Sequence, residues 1–192
     1  MTLSGVLPAS LVLLAAGPSE PQGQLLEEAG PALAAALGLA LAPALDPADP
    51  PQQLSALHRR SRSPGAPPRL VPLPIDPGRT LDEGSCWAEA LGAWRQPALL
   101  LLSADQQRSG LPAAMTALLR QAAVPLVGLV QWGLPWQAAL RRRDGLPWLG
   151  ALPTAIPADP GAAEACEELV RALPGALRLG CAQVRAAGWQ EP

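Results

Sequence analysis

The chain has 192 residues, 49% of them hydrophobic, and a formal net charge of −2. This is enough apolar length for a domain with a sizeable core, and nothing in so small a net charge suggests capture of nucleic acid, whose phosphates need a concentrated basic face. Phe, Tyr, Asn and Lys are absent, so no lysine can act as a phosphate-loop cation, Schiff-base former or general base.

Cys86, Cys166 and Cys181 stand far apart without CxxC spacing, and His58 is the single histidine. That pattern points to a reduced, cytoplasmic protein with buried thiols, and away from a disulfide scaffold or a metal site. In chain order, VLPASLVLLAAG lacks a preceding Lys or Arg and is interrupted by Pro8. It reads as a buried first strand, residues 10 to 16, rather than a signal peptide. Residues 24 to 37 are predicted helical, with Glu27 and Glu28 in the first turn and Gly38 as the C-terminal stop. Their apolar stretch ALAAALGLALA is too short to cross a membrane.

Residues 39 to 44 suggest a second strand, DPADPP a turn, and 52 to 60 a short helix. SRSPGAPPR, residues 61 to 69, is predicted to be an exposed loop, beside the basic cluster Arg59, Arg60 and Arg62, which suits solvent or a contact with an anion or a partner. Pro72 and Pro74 limit residues 70 to 75 to an edge strand or an extended segment. Residues 81 to 94 read as a helix with Trp87, Leu91 and Trp94 on one face.

The clearest pattern follows. PALLLLSA (97 to 104), VPLVGLVQW (124 to 132) and LPWLGALP (146 to 153) are apolar strands, separated by helices at 113 to 122 and 136 to 143. Consecutive β-α-β units imply parallel neighbours. Further helices are expected at 161 to 173 and 176 to 187, within a C-terminal helical segment, 156 to 192. The expected fold class is α/β: one domain, residues 1 to 192, with three layers and helices on both faces of a mainly parallel sheet.

In such folds ligands gather beyond the carboxyl ends of the strands, which directs attention to GPSEPQGQL, residues 17 to 25. Its spacing resembles the variant phosphate loop of dethiobiotin synthetases and the related partition and cobyrinate-synthase ATPases. Gly17 and Gly23 stand at the two glycines of that loop, Gln24 at its lysine and Leu25 at its threonine. RLVPL (69 to 73) is similar to a further family segment, with Pro67 and Pro68 replacing glycines and Pro64 near an expected acidic residue. The strands at 97 to 104 and 124 to 132 resemble the family's late strands. Gln131 then stands where the family reads adenine through Asn, and GLPWLGALP resembles the strand that follows.

The resemblance implies a P-loop-like fold, and Gly17, Ser19, Gly23, Gln24, Leu25 and Gln131 as the remnant nucleotide site. Every departure removes chemistry that phosphoryl transfer needs: the cation, the Mg²⁺-binding hydroxyl and, at Pro18 and Pro21, backbone donors. The resulting expectation is a non-catalytic or regulatory domain without a cofactor, binding ATP and Mg²⁺ only if an arginine such as Arg108 or Arg141 replaces the lysine in space. One alternative is an active ligase of the dethiobiotin synthetase type with an altered site. A related enzyme reading uses Ser19, Glu20, Asp105, Arg108 and Ser109 at strand ends. The third reading is an interaction module built around Trp132, Trp136 and Trp148. A protein partner or a homodimer is compatible with these readings; nucleic acid and membrane are not expected partners.

Overall fold

The computed structural model describes residues 9–154 apart from 18, 64, 83 and 134, together with 167–169, 171–172 and 175–176. Among the described residues, six strands form one sheet: β1 (Ser10–Ala15), β2 (Ala40–Leu41), β3 (Arg69–Leu73), β4 (Ala98–Ser103), β5 (Leu126–Trp132) and β6 (Trp148–Leu152). Their order is β2-β3-β1-β4-β5-β6, and every pair is parallel. β1 and β4 are buried on both faces, as their unbroken Leu-rich runs require.

Five helices connect the strands: α1 (Ser19–Leu37), α2 (Pro50–Ser61), α3 (Trp87–Ala93), α4 (Leu111–Gln121) and α5 (Ala138–Arg143). The chain leaves β1 in one direction, to the β2 edge, and makes every later crossover in the other. Crossovers of one hand must then place α1 opposite the rest, and the right hand is nearly universal. The core divides accordingly. Leu25, Leu26, Ala29, Leu33 and Leu37 of α1 pack on one face with Leu11, Leu13, Leu99 and Leu101. Leu54 and Leu57 of α2, Trp87 and Leu91 of α3, and Met115 and Leu119 of α4 pack on the other with Val12, Leu14, Leu100 and Leu102.

Several elements depart from the sequence-based expectation. Helix α1 begins at Ser19, five residues ahead of Gln24. Pro21 lies in its first turn, where amides have no intrahelical acceptor and a missing N–H costs little. Its far end matches the expectation: Gly38 adopts φ +65°, with Gly38 N–H donating to the Ala35 carbonyl and Leu39 N–H to that of Ala34. Strand β3 is interior, although Pro72 lies within it. The Pro72 carbonyl accepts from Leu45 N–H on the β2 side. Its missing N–H therefore faces the side where the two-residue β2 has already ended.

Helix α3 starts at Trp87, six residues later than expected. Gly84 turns with φ +80°, Leu81 N–H donates to the Ser85 carbonyl, and Glu89 accepts from Cys86 N–H to start the helix there. The helices expected at 161 to 173 and 176 to 187 lie mostly outside the described residues. The pieces described there are helical, and Leu169 is buried against the α1 face. Among the described residues no helix is long and apolar enough to cross a membrane.

Candidate functional site

β1 and β4 are neighbours whose helices, α1 and α4, pack on opposite faces. The chain therefore diverges at their carboxyl ends, and a crevice opens there. It has a volume of about 430 Å³ and is lined by Gln24, Leu25 and Glu28 of α1, Ser103 to Gln106 beyond β4, Trp132 and Gly133 at the end of β5, and Thr154 beyond β6. Two of the expected site residues, Gln24 and Leu25, thus lie in the crevice where the topology would put a ligand.

The charges in that crevice do not suit phosphate. Glu28 and Asp105 are carboxylates, and no Arg or His is among the described lining residues. Neither arginine considered as a lysine substitute lines it. Arg108 is exposed on the single turn of 3₁₀ helix after β4. Arg141 is buried on α5, 4.9 Å over the Trp148 ring, 3.5 Å from Asp144 and donating to the Gln107 carbonyl.

At the turn, the Gly17 amide and the Ala15 and Ala16 carbonyls are engaged internally. Gly17 adopts φ +109°, and its N–H donates to Asp76 Oδ2 at 2.8 Å. Asp76 comes from the loop after β3, and its Oδ1 accepts from Gly78 N–H at 2.8 Å. The carboxylate thus occupies an amide that an external anion would need. Gln22 donates from Nε2 to the Ala15 carbonyl at 2.6 Å, and Gln106 donates from Nε2 to the Ala16 carbonyl at 2.7 Å. Gln106 Oε1 also accepts from Ser103 N–H, so this one side chain ties the end of β4 to the end of β1.

The remaining expected residues are dispersed. Ser19 is the first residue of α1 and Glu20 an exposed one in its first turn. Gly23 is inside the helix, and an added Cβ there meets no atom within 4 Å. Gln131 is fully buried near the end of β5, donating to the Gly133 and Pro135 carbonyls at 2.7 and 3.0 Å. Its Oε1 has no hydrogen-bond partner among the described residues, and the same holds for Gln22 Oε1. Ser109 caps the 3₁₀ turn, donating to the Gln106 carbonyl and accepting from Leu111 N–H. Among the tryptophans, Trp132 is buried, while Trp136 and Trp148 are half-buried and meet edge to face at 6.1 Å.

Sequence reasoning missed Asp76, Gln22 and Gln106. Asp76 lies in PIDPG, whose turn chemistry is legible, but its reach to Gly17 depends on β3 lying beside β1. Gln22 and Gln106 carry no motif of their own.

Because Gly23 is helical and open, Gly23→Ala should stabilise the protein by about 0.5–1 kcal/mol, read as a higher urea midpoint. A lower midpoint would mean that residues 19 to 24 form an irregular loop that needs the glycine.

No protein-family model matches the chain, and no curated protein matches it.

Proposed function

We propose that this chain is a P-loop-like α/β domain whose nucleotide site has been rebuilt into a structural turn, and that it acts as a non-catalytic, regulatory or binding protein. The observation that supports this most directly is the crevice beyond β1 and β4, which presents Glu28 and Asp105 and no cation among its described lining residues. Two carboxylates would repel the phosphates of a nucleotide, and nothing there would offset the charge that develops during phosphoryl transfer. The engagement of Gly17 N–H by Asp76 and the helical start at Ser19 support the same reading. The residues present do not fit Mg²⁺-ATP: Gln24 and Leu25 offer neither a cation nor a metal-binding hydroxyl.

Calorimetric titration of ATP, with and without Mg²⁺, should show no binding at millimolar nucleotide. The Gln24→Lys, Leu25→Thr double variant should remain silent too, because the Gly17 amide stays engaged and the carboxylates remain. Micromolar, Mg²⁺-dependent binding by the unaltered chain would overturn the proposal in favour of a ligase of the dethiobiotin synthetase type. The interaction-module reading draws on the half-buried Trp136–Trp148 pair and on Leu140 of α5, which is 48% exposed. It agrees with a binding role.

A further inference from the structure

A second cavity, of about 310 Å³, lies at the amino ends of β1 and β3, away from the crevice beyond the carboxyl ends of β1 and β4. It is lined by α2 from Gln52 to Ser61, by the segment after β2, by Ala66 and Pro67 ahead of β3, and by the sheet. Its chemistry is the reverse of the crevice. Arg59, Arg60 and Arg69 line it, with Gln52 and Gln53, and no Asp or Glu is among the described lining residues.

The register explains how these groups converge. Ser10 pairs with Arg69 across β1 and β3. Both alternate in phase with Val12 and Val71, which belong to the core on the α2 face. Arg69 therefore stands on the sheet surface beneath the α2 turn that carries Arg59, Arg60 and Ser61. Ser10 is buried, and its hydroxyl lies 3.2 Å from Ser61 Oγ, making a polar floor.

Basic residues in the last turn of a helix ordinarily complement its dipole, and Arg59 and Arg60 can do that. Arg69 cannot be explained in this way, since it begins a strand on another element. Arg59 donates to Ser55. Neither the Arg60 nor the Arg69 side chain has an ion pair or hydrogen bond among the described residues. Three arginines around one cavity, with no carboxylate among its described lining, leave positive charge for a ligand to meet, and guanidinium matches carboxylate and phosphate oxygens in pairs.

We propose that this cavity binds a compact organic oxyanion of charge about −2 to −3, a phosphate monoester or a polycarboxylate. Its oxyanion groups would lie on Arg59, Arg60 and Arg69, and its small body against Leu45, Ala56 and Val71. A cavity of this size and apolar wall suits a small metabolite better than a bare ion. This site is independent of whether the crevice binds nucleotide.

The test is calorimetry on the full chain in low salt, with glycerol 3-phosphate and citrate as probes and glycerol as the neutral control. At least one anion should bind with micromolar to millimolar affinity, weakened by added salt, while glycerol does not bind. Binding of the phosphate alone assigns the monoester, and binding of citrate alone the polycarboxylate. The Arg60→Gln, Arg69→Gln double variant should lose about tenfold or more in affinity with an unchanged circular dichroism spectrum. Failure of both anions at millimolar concentration, or equal binding by the double variant, would overturn the proposal. Should the double variant not fold, Arg60→Gln alone, at an exposed helical position, must still weaken binding severalfold; unchanged affinity would count against the site.

Discussion

Gly92→Ala is expected to destabilise the protein by at least about 2 kcal/mol, measured as a fall in the urea midpoint. In an open helix the same change would add about 1 kcal/mol of stability. Gly92, however, lies where α3 meets the end of α4, and a Cβ there would collide with the carbonyl oxygen of Ala122. That carbonyl cannot retreat cheaply. Ala123 holds φ +58°, its N–H donates to Arg120, and Val124 N–H donates to Leu119, closing the helix end around Ala122. The steric term should therefore exceed the propensity term. Equal or greater stability would show that α3 and α4 do not approach at this point. Gly23→Ala, at an open site, provides the contrasting control with the opposite expected sign.

Trp87→Ala should cost about 3–5 kcal/mol. Trp87 is completely buried at the start of α3 and is among the largest side chains in the core on the α2 face. Its indole N–H also donates to the Pro47 carbonyl at 3.0 Å, anchoring the turn that leads into α2. Trp87→Phe keeps most of the volume and removes the hydrogen bond, so it should cost less than the alanine variant. Urea unfolding of both variants separates packing from hydrogen bonding. A loss below about 1 kcal/mol for Trp87→Ala would place the indole outside the core.

The two functional proposals rest on opposite charge at opposite ends of the sheet. The crevice beyond β1 and β4 holds carboxylates where a nucleotide would need cations. The cavity beneath α2 holds arginines with no carboxylate among its described lining. The Arg59–Arg60 cluster is visible in the sequence, but whether it is a solvated loop margin or a contact with an anion or a partner could not be decided there. Arg69 joins it only through the pairing of β3 with β1.

What the sequence determined by itself was the fold class and most of the elements. Unbroken apolar runs at β1, β4, β5 and β6, alternating with helical segments, fit a parallel sheet covered on both faces, and local turn signals such as Gly38 separate strands from helices. It also showed that Gln24 and Leu25 lack the chemistry of a working phosphate loop. Only the tertiary structure decided the strand order, the interior position of β3 despite Pro72, and the early start of α1. It alone brought Asp76 to the Gly17 amide and Gln106 to the Ala16 carbonyl. The physical reason is range. Hydrophobic period and turn chemistry act over a few residues and are legible in order, whereas Gly17 and Asp76 stand 59 residues apart. Their hydrogen bond exists only because the sheet sets β3 beside β1.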